Sequence, residues 1–428
     1  MKAARKCIVI NMNLMRRKSN LNMGTQIFYF LILFVGFSSC GNYKKTTPSF
    51  NVELIDDLDA LNSRIKKLNF DIKIDANAQM LTDSPPLLLS LKLVAKVDAP
   101  IVQGERLQAT KVVLDGGHAY VSYNMAGEKY IGAIDVFDNR TSIPKIISSL
   151  NSMDADINNL AVEKNFLYAV GGRESSGYLR EFLLQDDKLT SNIREVSLPS
   201  YAGTGVLIKG DSIYSTSGSK GGLSAFNKQT LQQKFLLNLD DARDLAIGQT
   251  GNEILVLQGT PGRIANVSLN QGELISQQNL GGATTAEAKS TIQSGKNSNL
   301  VTLGETGVRI YCSSDNSLIA SVSAPEPQGI NAAKKATNSA SAAKSLLFTA
   351  DGEAGVHVYS ISKSVTHTNN KCPTFSITLI GSLNFGEKIS ANSVTFDGES
   401  LFVANGLGGL NIVKVSGIPE AKDDADEY

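Results

Sequence analysis

The sequence predicts an all-β fold, a seven-bladed β-propeller whose last blade is closed by an N-terminal strand. Three observations carry the prediction. A strand-like run, led by a small residue or a polar turn, recurs seven times. The runs flanking each copy supply a four-stranded sheet. The last copy lacks its outer strand, and a spare run of that kind stands before the first copy. Composition agrees: the 428 residues are 42% hydrophobic and 19% charged, with 37 glycines to punctuate short strands. Formal net charge is zero and no basic cluster stands out, so no nucleic-acid partner is expected.

The N-terminus is outside the fold. Ile27–Phe37, IFYFLILFVGF, is an apolar run of signal-peptide length, behind a basic Arg16-Arg17-Lys18. It is shorter than the ~20 residues a spanning helix needs. Met15 would itself start a signal of ordinary proportions. The run ends in Phe37-Ser38-Ser39-Cys40-Gly41, which resembles the lipobox of bacterial lipoproteins. That resemblance implies a signal peptide over 1–39 and a diacylated Cys40 as the mature first residue, anchoring the chain to a membrane. An ordinary secretory signal or an uncleaved anchor is the alternative. Gly41-Asn42-Tyr43-Lys44-Lys45 lacks the acidic export signal that Bacteroidetes-type surface lipoproteins carry there. The resemblance therefore implies the cell envelope, at the periplasmic face of a Gram-negative outer membrane.

Residues 40–85 read as a tether. Leu54, Leu58, Leu61, Ile65 and Leu68 fall on one stripe of a helix. Asn51 suits its N-cap, and Glu53, Asp56 and Asp57 suit its positive end. Packing on the main domain is expected, with a short coiled-coil contact as the alternative. Asp83-Ser84-Pro85-Pro86 closes the segment.

The propeller is expected over 86–418. Its repeating strand reads AIDVFD (133–138), YLREFLL (178–184), GLSAFNK (222–228), RIANVSL (263–269), GVRIYCS (307–313), GVHVYSI (355–361) and GLNIVKV (409–415), at offsets of 41 to 54 residues. That is the length of one blade. Apolar runs and turns such as LYAVGG and LLFTADG precede it, and outer runs such as PKIISSL and QKFLLNL follow it. Only the seventh copy has no outer run; Pro419 and an acidic tail over 419–428 come instead. Pro86–Pro100, PLLLSLKLVAKVDAP, has the outer-strand pattern and no blade of its own. Paired with Leu410–Val415, it would close the ring and remove an open edge. FVANGLGGLNIVKVSGIP and LFTADGEAGVHVYSIS resemble the repeat of LVIVD-type propellers. The resemblance implies this fold and little about activity; Lys414 stands where that repeat usually has aspartate.

Function on such a ring belongs to the loops at one channel mouth. The loops joining second to third strands hold Glu128 and Lys129, Arg173 and Glu174, Lys220, Arg263, Glu305, Asp351 and Glu353, and Asn405, with Tyr130 beside the first as an aromatic platform. Converging there, they would make a polar site for a ligand or a partner; the plain alternative is that exposed turns are polar anyway. No catalytic residue, metal or cofactor is assigned. His118, His357 and His367 lie in different blades without metal-ligand spacing, and Asp240, Asp241 and Asp244 lack the spacing of a Ca²⁺ loop. Phosphate-loop and nucleophile-elbow motifs are absent, and so is tryptophan, which quinone-dependent dehydrogenase blades carry repeatedly. Cys312 and Cys372 fall near one rim of adjacent blades, where an exported compartment permits a disulfide; two free thiols are the alternative. The expectation is a lipid-anchored binding or scaffold module with a protein partner in the envelope or a small ligand at the mouth. The rival is a lactonase- or polysaccharide-lyase-like enzyme using carboxylates and a metal there.

Overall fold

The computed structural model describes residues 50–72, 75–76, 89–141, 143–282, 288–326, 329–331, 334–364, 372 and 374–418. The signal-like run, Cys40, Pro86–Leu88, His367 and the acidic tail lie outside them. Seven antiparallel sheets form the blades. Blades one to six span 108–152, 156–197, 203–238, 242–279, 292–322 and 339–383; blade seven takes 393–416 and, from the other end of the chain, 90–97. Within each blade the strands follow in order from the channel outward, so every first strand lines the channel.

The repeated glycine before the third strand has a steric cause. Gly222, Gly307, Gly355 and Gly409 all have positive φ, and a Cβ there would lie 2.0–2.4 Å from a carbonyl of the outer strand: Leu237, Val322, Leu383 or Val97. Only glycine allows the backbone to turn this close to the next ladder. The repeat seen in the sequence is thus a record of how tightly third and fourth strands approach.

Apolar side chains pack between blades. Seven buried clusters occur among the described residues, each shared by two consecutive blades. Leu223, Ala225, Ile254 and Val256 join blades three and four, for example, and Ala95, Ala109, Val121 and Ile412 join seven and one. The circuit has no seam without a core.

Closure takes the expected form. Ser90–Val97 pairs antiparallel with Leu410–Ser416, Leu410 opposite Val97 and Ser416 opposite Ser90. Leu91, Ala95 and Val97 are buried. The alternation shifts at a bulge between Ile412 and Val413, which carries Ala95 and Val97 into the seam with blade one.

The tether differs from its sequence reading. Helix survives only at Leu58–Ser63, capped by Asp57 rather than Asn51, and strands flank it. Val52–Ile55 adds a fifth strand to blade one, Ile65–Ile72 pairs with the closing strand of blade seven, and Asp75–Ala76 pairs with blade six. Part of the stripe packs, Leu54 against the core of blades one and two and Leu61 and Ile65 against that of blades seven and one, while Leu58 and Leu68 are exposed; the flanking strands cover outer edges that would otherwise stay open. Burial fixes this strap in place. Arg64 bonds Asp135, fully buried in blade one, at 2.5 and 3.1 Å. Phe50 lies over the buried guanidinium of Arg180, 5.5 Å from its ring centroid. Cys312 and Cys372 form a disulfide between blades five and six, with Cα atoms 5.7 Å apart.

Candidate functional site in the channel mouth

The channel wall is built at the head of each first strand. In blades one to four the pairing of first and second strands skips one residue there: Thr110, Asn158, Thr204 and Arg243. A bulge frees the side chain to reach sideways. Each one donates to a carbonyl in the next blade or in the segment leading into it. Thr110 Oγ1 reaches Ile157 O at 3.0 Å, Asn158 Nδ2 reaches Gly203 O at 3.2 Å, Thr204 Oγ1 reaches Ala242 O at 2.8 Å and Arg243 Nη1 reaches Ala288 O at 3.1 Å. Thr302 to Asn338 O at 3.3 Å, Asn338 to Ala391 O at 3.1 Å and Asn392 to Ala109 O at 2.9 Å complete the circle. A girdle of side-chain donors thus links every blade to its neighbour.

Lys289 crosses the space inside this girdle. Its backbone N–H donates to Asn338 Oδ1 at 3.0 Å. Its ammonium reaches blades one and two, donating to Thr110 O at 2.9 Å and Asn158 O at 3.3 Å. Burial pushes its pKa down to about 7; Lys111 adds to the effect and Asp244 opposes it. Asp244 is itself held above the carboxylate range by burial, against the pull of Lys111 and of an Ile292 N–H at 3.1 Å. Above Lys289 opens a cavity of about 850 Å³, counting the solvent at its opening. Lys111, Asn159, Tyr201, Arg243, Ser290 and Ser393 are among its walls. Tyr201 is 63% exposed at the rim. Asp241 neutralises Arg243. The Oγ atoms of Ser290 and Ser393 are buried and have no hydrogen-bond partner.

Of the residues expected at the mouth, the structure gathers few. Glu353 lines the neighbouring half of the mouth, where Lys334 holds it at 3.0 Å. Lys129 pairs with Glu105, and Glu128, Glu174 and Glu305 are exposed. Arg173 turns to the outer strand of its own blade, to Glu195 and Ser197. Lys220 is fixed through its backbone N–H to Asp240, and Arg263 opens the third strand of blade four. Tyr130 packs near Gly172 in the adjoining blade. Two expectations are corrected by burial. Asp351 is 1% exposed and accepts bonds from Thr337, Thr349 and His357, so it braces a turn. Asn405 is also buried, inside the tight turn that Gly408 and Gly409 close. The reason is common to both: these hairpin turns are so short that their first residue points into the sheet rather than over the mouth. Among the described residues no group of three or more His, Cys, Asp and Glu is arranged to hold a metal. The cavity-lining residues of the first strands are absent from the sequence expectations, which placed the site in the loops. Their signal is a polar pair at the head of the first run, as in Thr110-Lys111 and Asn158-Asn159.

No family model matches the chain, and no curated protein matches it. Among solved structures, a chain of the Kuenenia stuttgartiensis hydrazine synthase is 12% identical, with a TM-score of 0.55 over 74% of this chain and 99% of that one. The computationally designed Ika8 protein is 12% identical, with a TM-score of 0.45 over 81% of this chain and 97% of its own. At such identity the first is a likeness of fold alone, and the second adds nothing to it. Sheet order, closure and this likeness together make the chain a seven-bladed β-propeller.

Proposed function

We propose that this is a lipid-anchored propeller of the cell envelope, akin to LVIVD-repeat propellers, that works by binding a partner or small ligand at its channel mouth. One observation carries the reading. The mouth opens into a cavity with polar walls, floored by Lys289 and bordered by Lys111, which has no hydrogen-bond or ion-pair partner among the described residues. A concave pocket with a few convergent polar groups is the usual form of a binding site. Among the described residues the walls of this cavity carry amines, a guanidinium, amides and hydroxyls but no carboxylate or imidazole. The Cys312–Cys372 disulfide suits an oxidising compartment. Ser38-Ser39-Cys40 supplies the anchor, and a protein partner in the same envelope is the expected company.

The test is a photo-crosslinker placed at Tyr201 on the mouth rim, compared with the same group at Asp211 on the opposite end of blade three. A discrete adduct at Tyr201 that Asp211 does not give is the expected result. Equal labelling at both ends, or none, would remove the mouth as the working surface.

A further inference from the structure

The mouth cavity holds two lysine amines, and its described walls hold no carboxylate. Lys111 has no hydrogen-bond or ion-pair partner among the described residues. Asp244 is its nearest electrostatic counterpart and also acts on Lys289, so one carboxylate answers two amines. Arg243 contributes no free charge, because Asp241 takes it. Lys289 spends two donors on the carbonyls of Thr110 and Asn158, and an ammonium has three. Ser290 and Ser393 border the same cavity, but their Oγ atoms are closed off from it, so its cationic donors are Lys111 and Lys289.

Resting on the mouth-binding reading, we infer that the cavity is a site for the oxyanion group of a small molecule, held by Lys111 and Lys289. An oxyanion would supply negative charge and accept from both amines at once. Tyr201 at the rim is placed to cover the rest of the molecule. A cation would face the charge of Lys111 and disfavour that of Lys289, and a neutral sugar would leave the amines unanswered. Binding would also favour the charged form of Lys289, which burial disfavours in the empty site. The charged groups that face it are Lys111 and Asp244, with the Arg243–Asp241 pair beside them, so proton uptake on binding is assigned to Lys289.

The experiment is calorimetric titration of the folded protein with inorganic phosphate and sulfate, with acetate, succinate and citrate, and with glucose as a neutral control. At least one anion is expected to bind with proton uptake near pH 8, and glucose is not. Binding by phosphate or sulfate alone assigns an inorganic oxyanion; binding by the carboxylates alone assigns an organic acid; either supports the inference. Lys111→Met and Lys289→Met are each expected to weaken binding by about tenfold or more, the scale of a charge-assisted hydrogen bond. Lys111 is only partly buried and lies outside the apolar core, so Lys111→Met serves as the variant that keeps its fold. The inference is overturned if no anion binds, or if binding is unchanged in both variants. A Tyr201-specific adduct persisting beside either result would leave the mouth reading standing and remove only the oxyanion.

Discussion

Asp156 opens the first strand of blade two, where it accepts an N–H from Met125 at 3.0 Å. Burial pushes its pKa from 3.8 to about 7. The native protein therefore keeps a proton, between those values, that the unfolded chain has given up, and stability falls as pH rises through the window. Asp156→Asn keeps an acceptor for the N–H and removes the buried charge. It is expected to melt higher than the wild type near pH 8, with the gain closing by about pH 4; thermal unfolding across that range checks it, and a pH-independent difference would refute it. Nothing local in Asp156-Ile157-Asn158 announces this behaviour. The N–H it meets belongs to Met125 in blade one, 31 residues upstream, which no pattern within a few residues can report.

At the scale of single strands, Ser90–Val97 has two partners, Leu410–Ser416 on one side and Ile65–Ile72 on the other. Removing residues 86–97 should strip the outer ladder of blade seven and release the strap strand as well. Part of the core between blades seven and one goes too, since Ala95 and Val97 belong to it. The expected outcome is a lower melting temperature together with self-association, read by thermal unfolding and light scattering. A monomer of unchanged melting temperature would mean that the ring closes without this strand. The blade count and the closing strand were legible because each copy repeats the same glycine, alternation and spacing, and a strand missing at one end had its match at the other. The strap was not legible. Leu54, Leu58, Leu61, Ile65 and Leu68 fit a helical stripe, and the edges that convert their neighbourhood to strand lie far along the chain, in blades one and seven. At the mouth, the burial of Asp351 and Asn405 and the bulges that aim Thr110 and Asn158 at the next blade were not legible, because they follow from packing between blades.

The whole molecule carries one prediction about where it sits. The proposed anchor rests on Ser38-Ser39-Cys40. Cys40→Ala is expected to move the protein from the membrane pellet to the soluble fraction of lysed cells and to abolish uptake of labelled fatty acid. A variant that still sediments, with a wild type that takes up no label, would refute the anchor.

The pairing of Ser90–Val97 with Leu410–Ser416 also sets a timetable. A chain that emerges amino end first exposes its closing strand early and supplies the matching strand last, after nearly every other blade has been made. Until then Leu91, Ala95 and Val97 have no native surface to cover them. Blades can assemble one after another as they appear, each against its predecessor, but the first and last faces stay raw until the final turn is complete. A messenger cut short within blade seven would therefore yield a protein that is almost all present and yet unfinished at both ends. Such a product is one that quality control should recognise and destroy, whereas loss of a few residues from a surface turn would pass unnoticed.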